Sequence, residues 1–261
     1  MITPMQISIA DRTVSMLLDI ELGRLYSDAV LTQYLQANRC PEPEVVAVMF
    51  RACKAGDCVI DAGANVGFFS VLMSKLVGPT GHVISIEPDL RNLKVMRKNL
   101  DINECQNVDV VSRPLSCDES LLNFYQNEEN GQSSLFATIR DVASSEERTT
   151  TFDLIIAEDK PTFLKMDIEG AEYEAMRGCS HYFDAIVCEV NPEALKRADS
   201  SPEELIEHMR GDGYGAYLLR EDGSLPSLIR HDQKIKITRP NTNLLFTDAA
   251  GIMRLWPEIE A

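Results

Sequence analysis

The stretch Val59-Ile-Asp-Ala-Gly-Ala-Asn-Val-Gly-Phe-Phe-Ser70 runs from an apolar, strand-like start through two glycines into a second apolar run of helical character. A glycine turn between a strand and a helix is where α/β folds bind nucleotides. A dinucleotide fingerprint, GxGxxG, has a middle glycine that lets the backbone approach a pyrophosphate, and Gly63-Ala-Asn-Val-Gly67 lacks it. A P-loop needs a lysine after its last glycine, and here Gly67 is followed by Phe68-Phe69. The turn is tight and close-packed, and poorly built for phosphate.

Outward from this turn, short apolar runs alternate with amphipathic helices from residue 56 onward, which signals a parallel sheet wrapped by helices. The predicted strands are Cys58–Asp61, Val83–Glu87, Val108–Val111, Phe163–Asp167, Ala185–Val190, Gly215–Leu219 and Asn243–Thr247. Helices are expected over Val66–Val77, stopped by Gly78-Pro79, and over Asp89–Asn103. Ser201-Pro202-Glu203-Glu204 reads as N-cap, N1 proline and capping-box glutamate of a helix closing near Gly211. A strand pair, Leu121–Tyr125 with Thr149–Phe152, is expected around a polar stretch that includes Asn130-Gly-Gln-Ser-Ser134. Residues 12–55 read as helical, from Val14, Leu17 and Leu18 and then Val45, Val46, Val48 and Met49, with a break at Cys40-Pro-Glu-Pro-Glu44. The expected division is therefore an N-terminal helical extension over 1–55 and a ligand-binding α/β domain over 56–261.

A chain of 261 residues suits one such domain and buries a core without disulfides or metals. With 41 acidic against 25 basic side chains the net charge is −16, which disfavours nucleic acid and anionic membranes as partners. The seven cysteines are scattered, without a CxxC pair or zinc spacing, and no apolar run approaches a membrane span. The expectation is a cytoplasmic protein with free thiols.

Four predicted strands end in a carboxylate: Asp61, Glu87, Asp167 and Glu189. In an open parallel sheet, ligands bind outside the carboxyl ends of the strands, so four neighbouring acids would share one rim. Glu87 closes the second strand, where a carboxylate grips ribose hydroxyls. Ribose recognition without pyrophosphate recognition points to an adenosine-type ligand, and S-adenosylmethionine fits, its sulfonium tolerating an acidic rim. In Lys165-Met-Asp-Ile-Glu-Gly-Ala-Glu172, three acids fall within six residues of one strand terminus, too many for helix capping alone. They suit a general-base cluster or a metal-ligand set, although no spacing demands a metal.

The pairing of V-I-D-A-G-A-N-V-G-F-F-S with S-I-E-P-D and F-L-K-M-D-I-E-G-A-E-Y-E resembles the FkbM family of S-adenosylmethionine-dependent methyltransferases. Gly131-Gln-Ser-Ser-Leu135, the F-D-L-I run at 152–155, Cys188-Glu-Val190 and Asn243-Leu-Leu-Phe246 extend the resemblance over roughly residues 40–247. It implies an α/β class I methyltransferase fold: a Rossmann-like seven-stranded sheet in the order 3-2-1-4-5-7-6, the last strand antiparallel, with helices on both faces. It also implies that Asp61, Gly63, Asn65 and Gly67 bind the methionine part of the donor, with Ala64 in the same turn. Glu87 would hold the ribose beside Pro88, and Ser112 and Arg113 would flank the adenine. Asp167 and Glu169 would face the substrate beside the methyl group. The chain departs from the family pattern at Pro114, which precedes Leu115-Ser116, at the P-E-P-E run carrying Glu42 and Glu44, and at Phe152 in place of leucine.

The expected activity is O-methylation of a hydroxyl on a small molecule, natural product or sugar, with Asp167 or Glu169 as base. Two other classes could use the same sheet: an NAD(P)-dependent oxidoreductase, and a non-catalytic nucleoside-binding module. Of the histidines, His181 and His208 read as surface residues, His82 as strand-initial, and His231 as part of a tail that could form a lid. A homodimer is compatible with all of these readings.

Overall fold

A computed structural model of the chain describes residues 2–9, 12–19, 40–127, 133–230 and 242–260. It opens with an antiparallel hairpin, β1 (Ile2–Ile9) and β2 (Arg12–Asp19), in which Val14, Leu17 and Leu18 are strand residues. This corrects the helix expected there. Three apolar residues cannot distinguish period 3.6 from period 2, and the β-branched Ile2, Thr3, Ile7, Ile9, Thr13 and Val14 favour the pleated form. The second expected helix is present as α1 (Pro43–Ala52), with proline in its first turn and Val45, Val46, Val48 and Met49 buried.

The central sheet is built from β3 (Cys58–Ala62), β4 (His82–Ile86), β5 (Val108–Val111), β8 (Phe163–Met166), β9 (Ala185–Val190), β10 (Gly215–Leu218), β11 (Ser227–Leu228) and β12 (Thr242–Thr247). Its order is β11-β10-β12-β9-β8-β3-β4-β5. The seven expected strands follow the expected order, with β12 antiparallel to both neighbours. The count is eight rather than seven, because Ser227–Leu228 adds a two-residue edge strand within a tail read as irregular. Two residues are too few to carry a period that a sequence reading could detect.

Both faces of the sheet are covered, which is why its central strands read as continuous apolar runs. Val59, Val83, Phe163 and Val187 point to one core, shared with α1, α2 (Phe68–Val77), α3 (Leu90–Ile102) and the C-terminal α8 (Ala249–Leu255). Their chain neighbours Ile60, Ile84, Leu164 and Ile186 point to the other core. That second core is shared with α4 (Phe152–Ile156), α5 (Glu172–Arg177), α6 (Pro192–Arg197) and α7 (Pro202–Gly211). The N-cap and N1 proline are formed as read, with Ser201 Oγ accepting from Glu204 N, while the Glu204 carboxylate returns to the Ser201 hydroxyl, accepting from Oγ at 2.8 Å.

The excursion between β5 and β8 is a second hairpin, β6 (Leu121–Asn127) with β7 (Asp141–Arg148). The partner of the first strand is thus 141–148, and not Thr149–Phe152. Thr150 instead bridges Leu115, and Thr151 caps the helix that Phe152 opens. Thr149, Thr150 and Phe152 suit a strand by composition, but threonine is equally a helix N-cap, and the cap prevails here. Among the described residues, no helix is long and apolar enough to cross a membrane. His231 and the rest of the tail from 231 to 241, and Asn130, Gly131 and Gln132 of the polar stretch, lie outside the described residues.

Candidate active site

From β3 the chain steps outward to β4 and β5 on one side and then returns to β8 on the other side of β3, so the strand order reverses between β3 and β8. Such a switch point opens a crevice at the carboxyl ends of the strands. A cleft lies there, with Gly63, Asn65, Glu87, Pro88, Asp167 and Glu169 in its lining.

The first turn is stitched to the neighbouring strand. Gly63 N and Ala64 N both donate to Ile86 O at 3.0 Å, and Asn65 N donates to Glu87 Oε2 at 2.7 Å. The backbone donors that a phosphate would need are therefore already engaged. Glycine is obligatory at 63: φ is +78°, and a Cβ there would stand 1.7 Å from the Asp167 carbonyl oxygen. Close packing of two strand ends, rather than ligand approach, fixes this glycine.

Behind the lining, Asp61 is fully buried, and its Oδ2 accepts from Ser70 Oγ at 2.6 Å. Burial raises its pKa above the ordinary carboxylate value, against the opposing pull of Lys165 and Ser70. Ala64 and Gly67 likewise shape the turn without lining the cleft.

Glu87 is 5% exposed, and both of its oxygens already accept backbone donors, Oε1 from Asp89 N at 2.8 Å and Oε2 from Asn65 N. Asn92 also hydrogen-bonds it, and burial still pushes its pKa up to about 7. Each carboxylate oxygen keeps a further lone pair for a ligand hydroxyl.

Asp89 caps α3 and anchors the β6–β7 hairpin. Arg91 Nη2 reaches Asp89 Oδ2 at 2.6 Å and Asn127 O at 3.1 Å, while Ser133 Oγ donates to Asp89 Oδ2 at 2.8 Å. The hairpin thereby closes one wall of the cleft with Phe124, Ser133, Ser134 and Leu135. Leu115 and Ile168 add apolar surface, and Asn92 a polar edge. These residues had no assigned role in the sequence. The Asp89-x-Arg91 pair and the Ser133-Ser134 run were the available signals.

Ser112 and Arg113 do not line the cleft. The Arg113 guanidinium is turned away to the Glu119 carboxylate and to the Thr149 carbonyl, the latter at 2.6 Å.

At the end of β8, Asp167 and Glu169 enter the cleft, and Glu169 takes a left-handed φ of 55°. Glu172, the third acid of the run, folds back instead: its carboxylate accepts from Ile168 N at 2.9 Å and from Gly170 N at 3.0 Å. Glu189, from the end of β9, takes its place, and oxygens of Asp167, Glu169 and Glu189 all lie within 4.8 Å of one another.

Lys165 is the buried counter-charge. Its Nζ lies 3.4 Å from Asp167 Oδ2, 3.5 Å from Gly63 O and 5.1 Å from the centre of the Phe69 ring. Burial alone would lower its pKa, but the Asp167, Asp61, Glu42 and Glu189 carboxylates outweigh that and hold it above its ordinary value. Glu42, before α1 with φ 43°, accepts from Asn243 Nδ2 at 3.2 Å and is pushed up to about 7, chiefly by burial. Glu169 rises well above the ordinary carboxylate value through burial and then the charges of Asp167 and Glu172, and Glu189 through burial and then those of Asp167 and Glu169. His181 and His208 are occupied elsewhere, with Pro161 O at 2.7 Å and Asp212 Oδ2 at 3.7 Å respectively.

The cleft's chemistry can be tested for an adenosine-type donor bearing a sulfonium and an ammonium group. Asn65 Oδ1 and Asp167 Oδ1 are buried oxygens without a hydrogen-bond partner, and both residues line the cleft. Two orphaned acceptors suit a ligand that brings N–H donors and positive charge. The residues fit the group.

A doubly covered, mostly parallel sheet with one reversed strand, a phosphate-poor glycine turn and acids at its switch point defines the class I methyltransferase architecture. Residues 61–215, more than half of the chain, match the family described as Methyltransferase FkbM domain, and the chain belongs to that family. Its members use S-adenosylmethionine as methyl donor.

A protein-L-isoaspartate O-methyltransferase of Methanothrix thermoacetophila is 32% identical over 71 residues, 26% of this chain and 34% of that protein. An arsenite methyltransferase of Halobacterium salinarum is 33% identical over 70 residues, 27% of this chain and 17% of that protein. The matched segment is thus only about a third and a sixth of these relatives' lengths. Among solved structures, a SAM-dependent O-methyltransferase from Thermotoga maritima aligns over 93% of this chain and 77% of its own, at 12% identity and a TM-score of 0.48. A putative rRNA-methylase from Clostridium thermocellum aligns over 80% and 96%, at 11% identity and a TM-score of 0.48.

Proposed function

We propose that the protein transfers the methyl group to a hydroxyl of a small molecule or sugar, with Glu169 or Asp167 accepting the hydroxyl proton. The observation that carries this reading is the acidic corner of the cleft, where half-buried Glu169 sits beside Asp167 and Glu189. A carboxylate raised by burial and like charge is a stronger base, which an alcohol acceptor needs and a carboxylate acceptor does not. The bound donor supplies an electrophilic methyl group on a sulfonium.

The chain's residues do the rest. Glu87, with Asn92 behind it, receives ribose hydroxyls. Asn65 Oδ1 and Asp167 Oδ1 accept from the donor's ammonium. Ile86, Leu115 and Phe124 supply apolar surface that excludes water from the nucleoside. Lys165 supplies the counter-charge that faces the Asp61 and Asp167 carboxylates. The net charge of −16 supports a small acceptor over a nucleic acid.

Calorimetry with S-adenosylhomocysteine and with NAD separates this reading from a dinucleotide enzyme, since tight NAD binding without a response to the homocysteine compound would overturn it. Turnover on hydroxyl, carboxylate and amine acceptors then tests the acceptor class. Retained turnover in both Asp167→Asn and Glu169→Gln would show that neither residue takes the proton.

A further inference from the structure

At the opposite end of the sheet from the cleft, Cys58, His82 and Asp159 converge from three separate stretches of sequence. Parallel register brings the first two together: Cys58 and His82 are Cα partners on the first rung of β3 and β4, so their side chains share a face. Asp109 is paired with Ile84, two residues beyond His82, and therefore lies on that face too. The same face carries Ile60 and Ile84 against α4. A turn closed by Asp159 N donating to Ile156 O at 2.7 Å returns Asp159 from the end of that helix to the cluster.

One ligand atom from each of Cys58, His82 and Asp159 lies within 4.8 Å of the other two, with His82 Nδ1 4.0 Å from Asp159 Oδ2. On the far side of the ring, His82 Nε2 lies 3.1 Å from Asp109 Oδ2. In the tautomer whose Nε2–H donates a hydrogen bond to Asp109, the ring turns a bare Nδ1 lone pair toward the thiol and the Asp159 carboxylate. Three ligand groups then face a common point, and a carboxylate backs the histidine from outside, the arrangement that fixes metal-binding histidines. Thiol, imidazole and carboxylate together suit zinc better than magnesium or calcium, which prefer oxygen alone. Tetrahedral zinc with bonds of about 2.0–2.3 Å separates its ligand atoms by roughly 3.3–3.8 Å, so closure needs movements of about 1 Å by partly exposed side chains.

We propose that Cys58 Sγ, His82 Nδ1 and the Asp159 carboxylate bind one zinc-type divalent cation, with Asp109 as a positioning residue and solvent as the fourth ligand. On binding, the Cys58 thiol releases its proton to solvent and no redox change occurs. The ion joins the starts of β3 and β4 to the loop that leads into β8. It sits about 13–16 Å from the methyl-transfer cleft, one strand length away.

The test is titration of the full chain, first stripped with a chelator, with cobalt(II) and then with zinc. One equivalent of cobalt should bind with a thiolate-to-cobalt charge-transfer band, and zinc should displace it. Cys58→Ser and His82→Gln should abolish the band, whereas Cys117→Ser and Cys179→Ser should retain it. Asp109→Asn should keep the band with about 10- to 100-fold weaker binding. Failure of the wild-type chain to take up either metal at micromolar concentration overturns the proposal, as does a band that persists in Cys58→Ser. If Cys58→Ser does not fold, by circular dichroism, the half-exposed Asp159→Asn decides: weakened binding supports the site and unchanged affinity overturns it. Donor binding should be the same with and without metal, which keeps this test separate from the reading of the cleft.

Discussion

Replacing Glu87 probes the donor site most directly, and the geometry makes the usual conservative substitution informative. In Glu87→Ala, the ribose loses its charged acceptor, and the N–H groups of Asn65 and Asp89 lose partners held at 2.7 and 2.8 Å. Hydrogen bonds to charged groups contribute about 1.5–3 kcal/mol, so S-adenosylhomocysteine affinity should fall roughly 10- to 150-fold. Glu87→Gln looks isosteric, but both wild-type oxygens accept from backbone N–H. Its amide must therefore turn an NH₂ toward one of those donors, setting donor against donor. The glutamine variant should bind within a few-fold of the alanine variant instead of resembling the wild type. Calorimetry on variants whose folding is verified by circular dichroism measures both. Affinity within about threefold of wild type, a difference of about 0.7 kcal/mol, in either folded variant would refute the assignment of Glu87 to the donor.

Gly63→Ala forces a Cβ into the Asp167 carbonyl and into a left-handed backbone that itself costs about 1–2 kcal/mol, so donor binding should be lost along with several degrees of thermal midpoint. Glu42, Glu87 and Glu172 are each pushed from 4.5 up to about 7 by burial, so the native state holds protons that the unfolded chain has released. Their contribution to stability is full below about pH 4.5 and is lost as pH rises through about 7, and a thermal midpoint that rises over that interval would contradict the burial argument. Homocysteine-compound affinity should move the other way, rising toward a plateau above about pH 7 as Glu87 ionises. Asn103→Ala removes the amide that donates to Leu17 O at 2.5 Å and accepts from Leu17 N at 2.8 Å, so limited proteolysis should cut the first hairpin faster while the central sheet stays protected.

The parallel core was readable because Val59, Val83 and Phe163, and their neighbours Ile60, Ile84 and Leu164, are buried on both faces, which leaves short unbroken apolar runs. The strand-end acids were readable for the complementary reason: a carboxylate at the end of such a run has left the core. Their division of labour was not readable. Glu172 looks like a cleft acid by spacing, yet two backbone N–H groups 2.9 and 3.0 Å away draw it into its own turn, and Glu189 from another strand fills the corner. Ser112 and Arg113 follow the third strand as expected, but Glu119 and the 148–149 backbone hold the guanidinium outside the cleft. The wall formed by Phe124, Ser133, Ser134 and Leu135 depends on long-range contacts, of Asp89 with Ser133 and of Arg91 with Ser133 and Asn127, that no local period encodes. The Cys58–His82 pairing depends on register between strands, equally invisible to spacing.

Glu42 and Glu169 hold left-handed backbones, at φ 43° and 55°, while carrying half-buried acids in or beside the cleft. Glycine at either position would relieve about 1–2 kcal/mol of strain against about 0.4–1 kcal/mol of extra unfolded-chain entropy. It would also remove a carboxylate whose burial opposes folding at neutral pH. Both forces point the same way, so selection of variants for heat resistance alone would enrich glycine at these two positions. Durability and the acidic corner are in direct competition here, and a thermostable library of this protein should be screened for activity before it is trusted.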